Sequence, residues 1–292
     1  MKASRLIFTL LLASIVAVVQ LAVQQTKADQ KPLEEVKAKA KSGDADSQVE
    51  LGLRYDKGEG VAKDPVEAVK WYRKAAEQND AKAQHALGFC FYAGEGVARD
   101  YVEAAKWYRK AAQQNYAEAQ ANLGICYLMG EGVPKDQAEA AKWFIKAAEQ
   151  NLAAAQFRLG ICYEKGEGIA KDQVEAVNWY RKAAEQNDVK AQYRLGICFD
   201  AGLGVAKDQM EAVKWYRKAA EQNLFLAQYY LGLCFYNGEG VAKDWIEAYK
   251  WWLLAARQGD EAAKNGMTEL ESKLTPDQIA EGQKRARNFK PH

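Results

Sequence analysis

Five cysteines occupy one recurring position in this 292-residue chain: Cys90, Cys126, Cys162, Cys198 and Cys234, each 36 residues after the last. Thiols are the strongest side-chain nucleophiles and soft-metal ligands, so their spacing is tested first. Even intervals of that length are unlike a metal-binding cluster, whose cysteines come in pairs about two to four residues apart. Histidine offers no help, since the chain has only His85 and the terminal His292, and no nucleophile–histidine–acid set can be assembled. Carboxylates recur three apart as Asp64/Glu67, Asp100/Glu103, Asp136/Glu139, Asp172/Glu175, Asp208/Glu211 and Asp244/Glu247. Such a pair resembles an acid–base dyad in composition, but its recurrence after each Lys-Asp or Arg-Asp marks helix starts, with Asp as N-cap and Glu as the reciprocal capping-box acid. The GEGV segments lack the G-K-[ST] and the preceding strand of a phosphate loop. The sequence therefore predicts no catalytic residue, no metal site and no cofactor.

The elements that carry these residues follow one beat. Leu-Gly recurs at Leu51, Leu87, Leu123, Leu159, Leu195 and Leu231, and Glu67–Asn79 and Glu211–Asn223 are identical. A fixed period of this length is the mark of a solenoid of small supersecondary units. In each unit one helix starts at the Asp N-cap and carries apolar residues at helical spacing, as Ala104, Trp107, Tyr108, Ala111 and Ala112 do. It stops at Asn79, Asn115, Asn151, Asn187, Asn223 or Gly259, residue types that accept a left-handed cap. The other helix, about Ala81 to Ala93 in the second unit, ends at Gly94-Glu95-Gly96, a connector suited to positive φ. Gly88 on that helix leaves room for a close neighbour. The aligned tryptophans (Trp71, Trp107, Trp143, Trp179, Trp215 and Trp251) are expected in the core. Gln48, Gln84, Gln120, Gln156, Gln192 and Gln228 lie beside the packed stripe, and their amides are expected to satisfy backbone groups of a neighbouring connector. The cysteines read as small apolar fillers. Equivalent helices in stacked units lie about 9 Å or more apart, while a disulfide needs Cα atoms within about 7 Å.

The L-G-x-x-Y/F core followed by A-x₂-W/F-Y and A-A resembles the tetratricopeptide pattern. The longer period and the G-E-G-V-x-K-D connector are those of its relative, the Sel-one-like repeat; the motif matches in all six units, with Leu203 replacing the loop Glu in the fifth. That resemblance implies an all-α, right-handed α-solenoid of stacked helix-turn-helix repeats, and a scaffold that assembles complexes, often at the cell envelope. Some members of the family staple each unit with two cysteines eight positions apart, whereas here each unit has one and the first has Arg54 instead.

The chain holds 41 basic and 39 acidic residues; three of the basic ones (Lys2, Arg5 and Lys27) and none of the acids lie in residues 1–28, leaving 38 against 39. That balance excludes the basic footprint of a nucleic-acid binder. Lys2 and Arg5 precede an apolar run from Leu6 to Val19, extended through Val23, and Thr26-Lys27-Ala28 is an acceptable cleavage site. Residues 1–28 are thus expected to be a signal peptide of an exported, periplasmic or secreted protein. An uncleaved membrane anchor is the alternative, since the extended run nears the ~18 apolar residues a span needs. Residues 29–43 are expected to cap the stack, 44–267 to form six repeats, and 268–292 to make a C-terminal capping helix and tail, opening at T-P-D-Q.

In so regular a chain the positions that vary point to function. Along one stripe of the first helices stand His85, Tyr92, Phe157, Arg158, Tyr193, Arg194, Tyr229, Tyr230 and Tyr236, over a floor of apolar residues at the Phe89 position. In the resembled family that stripe lines the concave face. Aromatic and arginine side chains are enriched at protein interfaces. The expected partner is a protein or peptide bound there, most strongly in the fourth to sixth units. The alternative is a cell-envelope enzyme or a glycan-binding accessory protein.

Overall fold

A computed structural model describes residues 32–291, and every regular element among them is an α-helix. Helix α1 (Leu33–Lys41) precedes the repeats. Six hairpins follow: α2 (Ala45–Lys57) and α3 (Pro65–Glu77), α4 (Ala81–Ala93) and α5 (Tyr101–Gln113), α6 (Ala117–Met129) and α7 (Gln137–Glu149). The series continues with α8 (Ala153–Lys165) and α9 (Gln173–Glu185), α10 (Val189–Ala201) and α11 (Gln209–Glu221), α12 (Phe225–Asn237) and α13 (Trp245–Arg257). Helices α14 (Glu261–Glu271) and α15 (Pro276–Asn288) come last. The residues fall into two compact units, one running to Trp107 and one from Tyr108. The segment read as a targeting signal lies outside the described residues.

Each second helix starts where its aspartate side chain takes the backbone N–H three residues on, Asp136 from Glu139 at 2.9 Å and Asp172 from Glu175 at 3.0 Å. The reciprocal half of the expected capping box is not made in the repeats. The N-cap N–H is already spent on the preceding first helix, Asp136 donating to the Tyr127 carbonyl and Asp172 to that of Tyr163, both at 2.9 Å. The glutamate turns instead to the lysine three residues on, as in Glu139–Lys142 at 3.0 Å and Glu211–Lys214 at 2.7 Å. Only Thr275–Gln278, at the start of α15, forms both halves among the described residues. First helices have caps that the sequence reading passed over: Asp44, Asp80, Asp188 and Asp260 accept from backbone N–H groups, while Tyr116, Leu152 and Leu224 in the same place contribute no side-chain bond.

Helix ends match the residue types. Asn79, Asn115, Asn151, Asn187 and Asn223 adopt φ of 64–67°, and the glycines closing the first helices 70–81°. The second connector glycine is fixed twice over. Gly168 has φ 73°, and a Cβ there would run into the Gln137 carbonyl of the preceding repeat; Gly204 and Gly240 sit likewise over Gln173 and Gln209.

Inside each hairpin an aromatic ring from the second helix lies on the glycine of the first. Tyr180 covers Gly160, Tyr216 covers Gly196 and Trp252 covers Gly232, so close that an added Cβ would be 2.5–2.6 Å from the ring. The buried ring is therefore the residue after the aligned tryptophan, and that displaces several indoles from the expected core. Trp71, Trp215 and Trp251 are buried, but Trp107, Trp143 and Trp179 are half-buried at the rim. There Lys146 and Lys182 lie over the indoles of Trp143 and Trp179, at 4.3 and 3.8 Å from the ring centroid. At the C-terminus α15 packs on α13, with Arg285 donating to Glu247 at 2.8 Å and Phe289 edge-on to Trp251.

Candidate binding face

The first helices are held in place by amides. Gln156 Nε2 donates to the Ala148 carbonyl at 3.3 Å and to Asn151 Oδ1 at 3.0 Å, and its Oε1 accepts from Gln186 at 2.7 Å. Gln192 and Gln228 repeat the pattern with Ala184 and Gln222, and with Ala220 and Gln258. These glutamines are buried with full partners, as a buried amide requires. Their backbone acceptor is the last turn of the preceding second helix rather than a connector. Each one thus ties the start of a first helix to two successive second helices and fixes the direction of the stripe above it.

On that stripe the predicted residues meet different fates. His85 and Tyr92 are half-buried on α4, the Tyr92 ring 5.2 Å from Tyr101. Towards the C-terminus the tyrosines pack on one another. Tyr230 contacts Tyr193 at 5.8 Å, Tyr216 at 5.4 Å and Tyr229 at 5.4 Å between centroids. Tyr229 and Tyr236 both lie against Trp252, and Tyr236 also stacks on Trp245 and donates to Glu269 at 2.6 Å. Burial among these rings pushes the Tyr193 phenol up to about 12. Arg194 is also engaged, its Nη1 3.3 Å from Glu164 Oε1, and Glu164 takes the hydroxyl of Tyr180 as well.

Phe157 and Arg158 on α8 stand apart. They line an open recess of about 450 Å³ with Asn122 and Ile125 of α6, Phe144 of α7 and the Asn187–Lys190 turn into α10. Arg158 and Phe144 also border a second recess of about 290 Å³, with Leu128, Ile161 and Lys165 among its walls. Three successive first helices therefore converge on this point. Phe144 and the Asn187–Lys190 turn were missed in the sequence because they lie off the varying stripe. Phe144 stands where four of the other five repeats have tyrosine (Tyr72, Tyr108, Tyr180 and Tyr216), and that was the available signal. The apolar floor is unevenly exposed: Phe89 is 46% exposed, whereas Ile125, Ile161, Ile197 and Leu233 are half-buried.

The five thiols are free and buried. Burial raises Cys126, Cys162 and Cys198 to about 11 and Cys90 and Cys234 to about 12, far from the thiolate that metal binding or attack requires. Among the described residues no group of His, Cys, Asp and Glu could hold a metal ion, and no helix is long and apolar enough to cross a membrane.

The Sel1 repeat model matches residues 45–80, 81–116, 117–152, 153–188, 189–224 and 226–260. The chain belongs to the Sel1 repeat family. Its fold is the α-solenoid of that family, and Sel1 repeats are in general protein-interaction scaffolds. It is similar to c5321, a protective antigen of uropathogenic Escherichia coli with an SLR fold, at 38% identity and TM-score 0.80, covering 88% of this chain and 56% of that one. A Sel1 repeat protein from Oxalobacter formigenes is 37% identical with TM-score 0.67, over 72% of this chain and 84% of that one. The secretory immunoglobulin A-binding protein EsiB of Escherichia coli O6:H1 (strain CFT073) is 49% identical over 43 residues, 15% of this chain and 9% of that protein. The chain thus spans a small part of EsiB and about half of c5321.

Proposed function

We propose that this Sel1 repeat chain is an exported scaffold that binds a peptide segment of a partner protein on the stripe formed by its first helices. The observation that carries this reading is the recess beside Phe157 and Arg158, where three first helices present an aromatic ring and a guanidinium over an apolar floor. Interface anchors are drawn from these residue types and sit in such depressions. The continuous tyrosine surface of Tyr193, Tyr229, Tyr230 and Tyr236 extends the same stripe. The immunoglobulin-binding activity in the name of EsiB supports the reading, as does the basic-then-apolar composition of residues 1–28 for export. The test is capture from cell-envelope extract by the full chain and by a Phe157→Ala, Arg158→Ala variant. One stoichiometric protein held by the parent and lost by the variant, with far-ultraviolet circular dichroism unchanged, is the expected result. Equal capture by both would remove these residues from the site, and turnover of peptidoglycan fragments would replace the scaffold reading with that of an envelope enzyme.

A further inference from the structure

Two arginines in equivalent places have opposite surroundings. Arg194 reaches Glu164 across the repeat boundary, and Glu164 is also held by the Tyr180 hydroxyl. One repeat earlier the corresponding residues are Arg158, Leu128 and Phe144: the arginine is kept, while the carboxylate and the hydroxyl that steadies it are both replaced by apolar groups. Arg158 is half-buried and makes no hydrogen bond or ion pair with any described residue. A guanidinium partly withdrawn from water is costly without an acceptor, and its planar fork matches a carboxylate. Two acids stand on the recess walls: Asp188 is spent capping α10 through the Ala191 N–H at 2.8 Å, and Glu167 lies 3.7 Å from Lys165. Lys190 on one side and Lys135 on the other add positive charge around the two recesses.

We infer that Arg158 is the receptor for a carboxylate supplied by the bound peptide, in the place that Glu164 fills for Arg194. The inference rests on the peptide-binding reading above and names the ligand chemistry. Because recesses of about 450 and 290 Å³ flank Arg158 on two sides, the chain passes over it rather than ending there. The ligand is therefore an internal Asp or Glu side chain with an apolar residue on each side, one near Phe157 and Ile125, the other near Leu128 and Ile161.

A phage-displayed library of 12-residue peptides selected on the full chain provides the probes, and fluorescence anisotropy of individual synthetic winners gives affinities. Winners should carry an acidic residue between apolar ones and lose at least about tenfold in affinity for Arg158→Ala, a loss of one charge-assisted contact. The double variant Leu128→Glu, Phe144→Tyr should bind as poorly while melting no lower than the parent, because it recreates beside Arg158 the internal acceptor found one repeat on. Amidating the peptide C-terminus should change nothing; a loss on amidation would overturn the internal-carboxylate assignment in favour of a terminal one. Winners without acids, or acidic winners indifferent to both variants, would overturn the inference and leave peptide capture standing. A library that yields no binder would overturn peptide capture itself.

Discussion

The third and fourth repeats and the fifth and sixth share one backbone plan yet present opposite surfaces. In the later pair the stripe is closed: Tyr193, Tyr216, Tyr229 and Tyr230 stack on each other, Tyr236 is held by Trp245, Trp252 and Glu269, and Arg194 is neutralised by Glu164. In the earlier pair the same positions hold Asn122, Phe157, Arg158 and Leu128, and the surface opens into recesses. An aromatic at an interface-like position is thus no measure of availability. Partners within the molecule decide how much of it is left for a ligand.

The comparison requires that both regions rest on the same seam. Gly168→Ala and Gly240→Ala should each cost roughly 3 kcal/mol or more in urea denaturation, since both combine positive φ with a backbone carbonyl in the way of a Cβ. A large difference between the two would break the comparison at its base. Next, Tyr230→Ala should lower stability by about 2–3 kcal/mol by removing a ring that touches three others. Phe157→Ala, with one ring neighbour in Tyr180, should cost about 1 kcal/mol yet weaken peptide binding more. The reverse order would make the recess structural and the tyrosines the site. Gln156→Leu and Gln228→Leu should each cost about 1–3 kcal/mol, removing the buried bonds to the Ala148 or Ala220 carbonyl and from the Gln186 or Gln258 amide.

A further effect is alkaline. The folded state holds protons on Tyr193 to about 12 and on the five cysteines to about 11–12, above the ordinary values of 10.0 and 9.0. A folded value above the unfolded one means stability is complete below the unfolded value and declines as pH rises through the folded one. Melting temperature should therefore hold up to about pH 9 and fall towards pH 12, with Tyr193→Phe flattening the upper part of the decline. A melting temperature that rose over this window would contradict the burial of these groups.

The hairpins were legible because most boundaries are written by residues with one physical use: Asp at the start of every second helix, Asn or Gly at the end, and paired glycines in the connector. The glutamines were legible as buried amides needing partners. Reciprocal capping was misread because the spacing of Asp and Glu does not reveal that the N-cap N–H is already bonded to the previous helix. The half-buried Trp143 and Trp179 were misread because tryptophan and the tyrosine or phenylalanine after it share one apolar pattern, and only packing decides which ring covers the glycine. The recess was hidden for a related reason: it depends on what Leu128 and Phe144 lack, and an absence registers only when set against the next repeat.

The amide seam also makes the repeats interchangeable modules. If residues 189–224 were excised, Asp188 would join Phe225, and Gln228 would meet Ala184 and Asn187, the partners Gln192 has now. The cut ends carry matching chemistry, so the gene can lengthen or shorten by whole cassettes without a new joint having to be invented.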